Sequence, residues 1–275
     1  MQKTILITGC SSGIGADAAT TLKARGWRVF AACRQQADCD RLIAEGFDSP
    51  RIDYTDPASI DTGLAQVLEA TGGRLDALFN NGAHGLTAAV EDLPTDALRE
   101  IFEANFFGWH HLTRKVIPVM RAQGTGRIVQ CSSSLGLVYM QWRGAYAATK
   151  HALEVLTDTM RIELAGTGIQ VVLIEPGPIT TKFRINGRAY FERFIDWKSS
   201  PRRQDYEDHL VPRLYGDTGP DPFERGPEAV TAKLIRALEA RRPRPRYYVT
   251  VPTYLGGYLR RVLSTRATDW IVRRI

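Results

Sequence analysis

Tyr146 and Lys150 are the residues whose types and spacing most directly suggest chemistry. They stand four positions apart, so in a helix both side chains lie on one face. An ammonium group beside a phenol stabilises the phenolate and lowers the pKa of the phenol from its ordinary value near ~10. A tyrosine tuned in this way can exchange a proton with an alcohol or carbonyl oxygen near neutral pH. Tyr-x-x-x-Lys alone is common on solvated helices, so a catalytic role for this pair needs support from other residues. The first of these are the serines at 132–134, shortly upstream of Tyr146.

A glycine-rich turn follows the first predicted strand and opens the first predicted helix. Its residues are Thr8, Gly9, Cys10, Ser11, Ser12, Gly13, Ile14 and Gly15. Glycines allow the backbone to turn tightly and approach a pyrophosphate, whose charge then lies at the positive N-terminus of the helix. The spacing is Gly-x-x-x-Gly-x-Gly, whereas many dinucleotide-binding proteins have Gly-x-Gly-x-x-Gly. Because the turn lies between the strand and the helix of a βαβ unit, it predicts a nucleotide site.

The end of the second predicted strand indicates which nucleotide that is. NAD-binding proteins often place a carboxylate there, where it accepts a hydrogen bond from the ribose 2′-hydroxyl. This chain has Cys33 followed by Arg34. No carboxylate repels a 2′-phosphate at this point, and a guanidinium is available to bind one. The pattern therefore favours NADP(H) over NAD(H), although an arginine at a strand end is also a common surface residue.

Short apolar runs alternate with longer segments of helical period, which is typical of βαβ units around a parallel sheet. The predicted strands are Thr4–Thr8, Arg28–Ala32, Ser49–Asp53, Ala77–Asn80, Gly126–Cys131, Gln170–Ile174 and Arg246–Thr250. The predicted helices are Ile14–Arg25, Ala37–Glu45, Pro57–Thr71, Thr95–Met120, Tyr146–Gly166 and Pro227–Ala240. We expect an α/β fold of the Rossmann type, with one domain over residues 1–275. Its sheet would be doubly wound, mainly parallel and seven-stranded, with helices on both faces.

One long irregular stretch, from about residue 180 to 226, interrupts this alternation. It carries five aromatic residues, Phe183, Tyr190, Phe191, Phe194 and Trp197, among many charges. Long connections in compact domains are usually lids, binding loops or disorder, and disordered segments are poor in aromatic residues. The stretch is therefore interpreted as a substrate lid built of short helices.

Composition excludes several classes of protein. The chain has 275 residues, of which 44% are hydrophobic and 24% are charged, and it has no apolar run of the ~18 residues that a membrane span needs. The four cysteines, Cys10, Cys33, Cys39 and Cys131, form no zinc-binding pattern, so no metal site is expected. They are expected to stay as thiols in a reducing cytoplasm, since the N-terminus does not have the pattern of a signal peptide.

The net charge of +6 is concentrated at the C-terminus. Residues 241–275 contain nine arginines and one acid, Asp269, so this segment carries +8. From residue 253 onward, apolar residues recur at helical spacing, at Tyr254, Leu255, Tyr258, Leu259, Val262 and Leu263. Such a basic amphipathic helix can lie on an anionic membrane surface. Packing of its apolar side on the domain or on a partner subunit is the favoured alternative, and peripheral membrane contact is the second hypothesis.

The motifs taken together resemble those of the short-chain dehydrogenase/reductase family. The glycine turn, Asn80-Asn81-Gly82, Asn105, Ser133 and the Tyr146/Lys150 pair occur in the family's order and spacing. The runs Phe30–Arg34 and Glu175–Thr181 resemble in particular the 17β-hydroxysteroid and retinol dehydrogenase branch and related bacterial carbonyl reductases. The chain departs from the family's Asn-Asn-Ala-Gly, since Gly82 and Ala83 stand in swapped order.

The resemblance implies roles for individual residues. Tyr146 would be the general acid in reduction and the base in oxidation, and Lys150 would lower its pKa and bind the nicotinamide ribose. Ser133, 13 positions before Tyr146, would polarise the substrate oxygen, and Asn105 would hold a water that relays protons to Lys150. The cofactor would contact Gly9, Ser11, Ser12, Gly13, Ile14, Gly15, Arg34, Asp53, Asn81, Gly82, Tyr146, Lys150, Pro176, Gly177 and Thr181. Alternatively, Asp53 could start a turn, Asn105 could be a helix-capping or core amide, and Thr181 could cap a lid helix.

The resemblance also implies an activity. We expect hydride transfer between NADP(H) and a carbonyl or alcohol carbon, with an apolar substrate of retinoid, steroid or aromatic type. The apolar residues at 135, 137–140 and 142 would line its pocket, unless they only pack the loop against the core. A homodimer or homotetramer is expected by resemblance.

Two other classes of function are considered. One is a non-catalytic NADP(H)-sensing scaffold of this fold, and the other is a nucleic-acid-binding protein, which the nearly neutral first 240 residues disfavour.

Overall fold

A parallel sheet of six strands forms the centre of the computed structural model, which describes residues 2–216 and 219–274. The strands are β1 (Thr4–Thr8), β2 (Arg28–Ala32), β3 (Ala77–Asn80), β4 (Gly126–Cys131), β5 (Ile169–Glu175) and β6 (Arg246–Tyr248). They lie in the order β2-β1-β3-β4-β5-β6, and all neighbours are parallel. The order reverses between β1 and β3, and in such sheets ligands bind outside the carboxyl ends of the strands at that point. The predicted α/β fold with a doubly wound sheet is confirmed.

Helices connect the strands and cover the sheet. They are α1 (Gly13–Ala24), α2 (Gln36–Ala44), α3 (Pro57–Ala70), α4 (Thr95–Phe102), α5 (Gly108–Gln123), α6 (Gly144–Glu163), α7 (Phe183–Phe194), α8 (Arg203–Asp205), α9 (Val211–Tyr215), α10 (Glu228–Glu239), α11 (Val251–Val262) and α12 (Thr265–Val272). Helix α1 packs on α10, and α3 packs on α5. The central strands read as continuous apolar runs because helices cover both faces of a parallel sheet; Ile5, Leu6 and Ile7 of β1, for example, are fully buried.

The predicted strand Ser49–Asp53 is wrong, so the sheet has six strands and not seven. This segment forms only two isolated bridges with the edge strand β2 and its end, between Phe30 and Asp48 and between Cys33 and Arg51. Pro50 stands between the two bridges and has no N–H group to donate to a ladder. The segment therefore runs beside β2 without becoming a regular strand.

The predicted helix Thr95–Met120 is one nearly continuous helical rod with a distortion in its middle. Helices α4 and α5 are joined by a π-helical turn at Glu103–Phe107. The rod ends at Gly124, whose φ of 69° is the left-handed conformation that glycine adopts easily at a helix C-terminus. Gly108, directly after the π turn, lies against Tyr54, since a Cβ at position 108 would be 2.2 Å from the Tyr54 carbonyl oxygen.

Short helices form part of the described stretch between β5 and α10, and its role as a substrate lid stays a prediction. The stretch contains helices α7, α8 and α9 and a π turn at Tyr206–Leu210. Tyr206, Leu210, Leu214 and Phe191 form a second apolar cluster beside the main core. Residues 217 and 218 of the predicted lid, and residues 1 and 275 of the predicted domain, lie outside the described residues.

The C-terminal segment forms α11 and α12, and α11 packs part of its apolar side on the domain. Tyr254 and Tyr258 contact the Tyr248 ring edge-to-face, with ring centres 5.3 and 6.0 Å apart. Leu255 and Val262 are 53% and 77% exposed and do not pack on the domain, whereas Thr253 and Gly257 on the other side of the helix are buried. Packing of the exposed residues on a partner subunit stays a prediction. Within the described residues, no helix has the length and apolar character needed to cross a membrane.

Gly108→Ala tests the contact between the π turn and Tyr54. Alanine normally stabilises a helix by ~1 kcal/mol relative to glycine. Here we expect a loss of ~1–3 kcal/mol in the free energy of unfolding, because the new methyl group overlaps the Tyr54 backbone. Urea unfolding measures the change, with His110→Ala on the exposed side of α5 as a control that stays within ~0.5 kcal/mol. Equal stability of both variants would show that the contact relaxes freely.

Candidate active site

Three of the predicted catalytic side chains come together where β4 ends and α6 begins. Helix α6 starts at Gly144, so Tyr146 lies in its first turn and Lys150 lies one turn later on the same face. The Lys150 ammonium is 5.7 Å from the centre of the Tyr146 ring. Ser133 follows the end of β4, and its hydroxyl accepts a hydrogen bond from the Leu135 backbone N–H at 3.1 Å. It lies close enough to Tyr146 to lower the pKa of that phenol. The two hydroxyl groups that would face a reacting oxygen are therefore neighbours.

Lys150 is almost fully buried, with 1% of its surface exposed. Its ammonium donates a hydrogen bond to the Cys131 carbonyl oxygen at 2.9 Å and lies 4.1 Å from the centre of the Trp109 ring. Burial disfavours the charged form and lowers the pKa of Lys150 from 10.5 to about 8, while the neighbouring Cys131 and Glu154 act in the opposite direction. The carbonyl and the indole face together hold a cation that water no longer solvates.

The pKa of Tyr146 departs from its ordinary value in the direction opposite to the prediction. Burial raises the pKa of this phenol above 10, and the nearby Cys131 thiol adds to the rise. The Ser133 hydroxyl and the charge of Arg143 oppose it. The Lys150 ammonium is directed at a carbonyl and an indole and does not offset the loss of solvation. The phenol therefore holds its proton in this structure, which suits a proton donor.

Asn105 lies in the π turn between α4 and α5, and π turns inside helices often occur at functional sites. Its side-chain amide is fully buried and bonds the backbone of His84 in both directions. Nδ2 donates to the His84 carbonyl oxygen at 2.8 Å, and Oδ1 accepts from the His84 N–H at 3.1 Å. Asn105 thus fixes the chain that follows β3, and the predicted water relay to Lys150 stays a prediction.

The glycine turn after β1 has the shape that a dinucleotide phosphate requires. Gly9 has a φ of 71°, and a Cβ there would lie 2.6 Å from the Gly82 Cα. A Cβ at Gly15 would lie 2.3 Å from the Gly9 carbonyl oxygen. Ser12 is the N-cap residue of α1, and no side chain in the described structure caps this end of the helix. Free N–H groups at a helix N-terminus bind anions, so these residues fit a pyrophosphate.

Other predicted cofactor residues surround this turn. The Asn81 amide donates to the Thr8 carbonyl oxygen at 3.0 Å, which joins the end of β3 to the start of the turn. After β5, a Cβ at Gly177 would lie 2.1 Å from Thr250 Oγ1, and Thr181 touches the position that a Cβ on Gly13 would occupy, at 3.0 Å. The Pro176 carbonyl oxygen accepts a hydrogen bond from the Ser134 N–H at 2.7 Å, so the segment after β5 is tied to the loop that carries Ser133.

Two residues also take the alternative roles that the sequence left open. Asp53 accepts hydrogen bonds from the Thr55 N–H at 3.0 Å and the Thr55 hydroxyl at 2.8 Å, which is an Asx turn. The Thr181 hydroxyl accepts a bond from the Phe183 N–H at 3.3 Å at the start of α7. These contacts use the side chains locally, and the predicted contacts with adenine and the carboxamide stay predictions.

Helix α7 lies over both ends of this cleft. The Phe183 ring packs edge-to-face on Tyr146, with ring centres 5.2 Å apart. Two turns later, the Tyr190 ring stacks on His84 at 3.7 Å, and its hydroxyl accepts a hydrogen bond from Arg34 Nη1 at 2.7 Å. Burial and the charges of Arg34 and Arg193 lower the pKa of His84 to about 4, so its imidazole is neutral at neutral pH.

The loop between Ser133 and Tyr146 is only partly the pocket wall that the sequence suggested. The Tyr139 hydroxyl donates to Asp269 of α12 at 2.7 Å, and Val138 lies 3.1 Å from the position of a Cβ on Gly256 of α11. Trp142 instead packs on Tyr206 in the π turn between α8 and α9, with ring centres 4.8 Å apart. Val138 and Tyr139 therefore face the C-terminal helices.

Sequence reasoning missed two contacts that support the cluster. The Lys150 ammonium lies over the ring of Trp109. Trp109 stands four residues after Asn105, and this helical spacing could have indicated that it lies on the same side as the predicted site. Arg246 of β6 pairs with Glu154 and Asp158 of α6 and, at 2.7 Å, with Glu175 of β5. Burial raises the pKa of Glu175 to about 8. Glu154 stands four residues after Lys150, but nothing in the sequence connects it with an arginine on β6.

This fold and this cluster together define a nicotinamide-dependent oxidoreductase of the class that acts on CH–OH groups. The chain belongs to the short-chain dehydrogenase/reductase family, since the family model described as short chain dehydrogenase matches residues 3–189. The predicted family is confirmed, and so is the NAD(P)-dependent oxidoreductase class.

Individual relatives agree with this assignment. The chain is 38% identical over 274 residues to the uncharacterized oxidoreductase YbbO of Escherichia coli K12, which covers 99% of this chain and 95% of that protein. Human retinol dehydrogenase 8 is 36% identical over 188 residues, 66% of this chain and 60% of that protein. A short-chain dehydrogenase/reductase from Burkholderia phymatum, solved in complex with NAD, matches with a TM-score of 0.78 at 26% identity, over 100% of this chain and 96% of that chain.

The lowered pKa of Lys150 predicts a dependence of stability on pH. Between about pH 8 and 10.5, the folded protein binds fewer protons at this site than the unfolded chain does. The free energy of unfolding contributed by Lys150 therefore rises with pH across that window, by at most ~1.4 kcal/mol per unit. Chemical unfolding of the wild type and of Lys150→Met from pH 7 to 10.5 measures the difference. Parallel curves would show that the lysine is not desolvated.

Proposed function

We propose that this protein is an NADP(H)-dependent reductase or dehydrogenase for an apolar carbonyl or alcohol. The observation that best supports the proposal is that Tyr146 lies next to Ser133 and that its ring centre is 5.7 Å from the ammonium of the buried Lys150. The glycine turn after β1, at the same edge of the sheet, fits the cofactor's pyrophosphate.

In the proposed reaction, the chain's residues manage the oxygen and its proton. Bound nicotinamide supplies or accepts the hydride. In reduction, the Ser133 and Tyr146 hydroxyls donate hydrogen bonds to the carbonyl oxygen, where negative charge develops. Tyr146 then gives its proton to that oxygen, and Lys150 with a water held by Asn105 restores it. Burial of Tyr146 keeps the proton on the phenol until that charge appears.

The surroundings of Tyr146 support an apolar substrate. Phe183 packs edge-to-face on the Tyr146 ring, and Trp142 and Tyr206 pack on each other in the same apolar cluster as Tyr146. The similarity to human retinol dehydrogenase 8, whose name gives retinol as its substrate, is consistent with this choice. Our proposal is an aldehyde, ketone or alcohol of retinoid, steroid or aromatic type, with residues 180–226 as its lid.

Tyr146→Phe tests the catalytic role. We expect turnover of NADPH with a panel of apolar carbonyl compounds to fall by at least ~10²-fold, the usual scale of general acid catalysis, while NADPH binding stays within ~3-fold. Tyr258→Phe, which removes an exposed hydroxyl on α11, is the matched control. Wild-type turnover in Tyr146→Phe would remove this residue from the mechanism. A wild type that binds NADPH but reduces no member of the panel would favour the non-catalytic scaffold.

The preference for NADP(H) rests on Arg34. Its guanidinium lies at the end of β2, where the ribose of a bound dinucleotide is recognised in this fold. The hydrogen bond to Tyr190 occupies one of its N–H groups, so a 2′-phosphate has to compete with the lid for this side chain. NAD(H) has no 2′-phosphate, so its binding does not require the hydrogen bond between Arg34 and Tyr190 to break.

A pair of variants with opposite effects tests this competition. Arg34→Ala should weaken NADPH binding by ~10- to 100-fold, the value of hydrogen bonds to a charged group, and leave NADH binding nearly unchanged. Tyr190→Phe keeps the ring on His84 but releases the guanidinium, so it should tighten NADPH binding by ~2- to 10-fold. Titration calorimetry measures the dissociation constants of NADPH and NADH for each variant, and these are compared with the wild-type values. Equal loss for both nucleotides in Arg34→Ala would assign this arginine no selectivity.

Quaternary structure and location complete the proposal. Val155 and Ile162 stand seven residues apart on α6 and are 68% and 72% exposed, which supports a homodimer or homotetramer formed through this helix. Sedimentation equilibrium distinguishes these states from a monomer.

Four cysteines that are all free and buried support a reducing, cytoplasmic location, which fractionation of cells would test. Nucleic-acid binding is not proposed, because the basic charge is confined to the C-terminal segment.

A further inference from the structure

Helix α11 has an inverted distribution of side chains. A surface helix normally turns its large apolar residues toward the core. In α11, six large residues face outward and are 39–77% exposed: Val251, Tyr254, Leu255, Tyr258, Leu259 and Val262. At 100° per residue they span an arc of about 140°, so they form one continuous apolar stripe. Such a stripe on a surface marks a binding face for something apolar.

The inward side of α11 explains why the helix cannot simply rotate. Thr253 and Gly257 are buried, and a Cβ on Gly257 would lie 2.7 Å from the Tyr248 hydroxyl oxygen. A Cβ on Gly256 would lie 3.1 Å from Val138. Arg260 fixes the rotation by donating to the Leu137 carbonyl oxygen at 2.7 Å. The small residues therefore give close packing on the domain, and the apolar stripe is held outward.

A basic groove runs beside the stripe, between α10, β6 and α11. It has a volume of about 860 Å³ and shares Tyr254 and Tyr258 with the stripe. Its cationic lining residues are Lys233, Arg236, Arg242, Arg244, Arg246 and Arg261, and its one acid is Glu239. Arg246 is neutralised by the three acids around it, and Glu239 pairs with Arg25 at 2.7 Å. Five cations therefore remain along one edge of the stripe.

We propose that the apolar stripe and the basic groove together form a docking face for an anionic phospholipid bilayer. An interfacial helix inserts its apolar side at the boundary of headgroups and acyl chains, and flanking cations bind the anionic headgroups. Exposed Trp270 of α12, with the Arg274 guanidinium 3.8 Å from its ring centre, adds an aromatic residue of the kind enriched at membrane interfaces.

Charge argues against a second copy of this chain as the occupant. A two-fold contact through the stripe would bring two segments of +8 against each other, with nine arginines and one aspartate on each side. Like charges facing each other across an interface cost free energy. An anionic membrane surface has the complementary sign. The exposed residues of α6 offer a subunit interface elsewhere, without this repulsion.

The helices that carry the docking face, α11 and α12, also contact the loop between Ser133 and Tyr146. Arg260 bonds the Leu137 carbonyl oxygen, and Asp269 of α12 accepts a bond from Tyr139. The chain between Ser133 and Tyr146 thus lies directly under α11 and α12. Docking would place the catalytic loop next to the lipid phase, although the inference does not depend on the proposed reaction.

Sedimentation of the full-length protein with vesicles tests the inference. The vesicles contain phosphatidylcholine alone, or phosphatidylcholine with about 30% phosphatidylglycerol, at low salt and at about 1 M salt. We expect binding to the anionic vesicles at low salt, weaker binding to the neutral ones, and loss of most of the anionic preference at high salt. Leu255→Ser/Val262→Ser should reduce the bound fraction at least about tenfold, because it removes two apolar side chains from the inserting face.

A matched control separates this face from general surface hydrophobicity. Ile43→Ser/Val90→Ser changes two residues that are 53% and 75% exposed on other surfaces, against 53% and 77% for Leu255 and Val262. This control should bind vesicles as the wild type does, and thermal unfolding should show that both double variants fold. Absence of binding by the wild type, or equal binding by both double variants, would overturn the inference. A smaller oligomer in Leu255→Ser/Val262→Ser would assign the stripe to a subunit contact instead and overturn it equally.

Discussion

The structure of the site depends on keeping one cation out of water. Lys150 is buried, and its ammonium is in contact with the Cys131 carbonyl oxygen and the face of Trp109. Those two partners come from β4 and from α5, while Lys150 itself comes from α6. Since a buried charge without such partners costs several kcal/mol, the three elements have to meet in one arrangement. Tyr146 and Ser133 are positioned by that same junction.

A second constraint lies on the opposite side of the cleft, where helix α7 contacts residues from separate parts of the sheet edge. Phe183 touches Tyr146, whereas Tyr190 touches both His84 and Arg34. The helix therefore bridges the two ends of the cleft that the glycine turn opens. Aromatic rings serve this purpose well because they bury large areas with few rotatable bonds. The position of α7 and the hydrogen bonding of Arg34 are linked through the Tyr190 hydroxyl group.

The amphipathic pattern of the C-terminal segment shows which structural features periodicity can predict and which it cannot. It correctly predicted a helix from the recurrence of apolar residues after position 253. It could not predict the rotation of that helix, because rotation is decided by contacts between distant residues. Gly256 and Gly257 allow an approach to Val138 and Tyr248 that large residues would prevent, and so Leu255 and Val262 turn outward.

The family, the βαβ succession, the glycine turn and the order of Ser133, Tyr146 and Lys150 could all be predicted from the amino-acid sequence. These features follow from local periodicity and from residue types whose spacing is meaningful within one or two turns of chain. One wrong prediction had a local cause, since Pro50 within the predicted strand Ser49–Asp53 cannot donate to a ladder and was visible in the sequence. Other features were set by the tertiary structure: the indole of Trp109 became the partner of Lys150, and burial moved the pKa of Tyr146 upward. Both depend on desolvation and on contacts between elements far apart in sequence, which a local pattern does not contain.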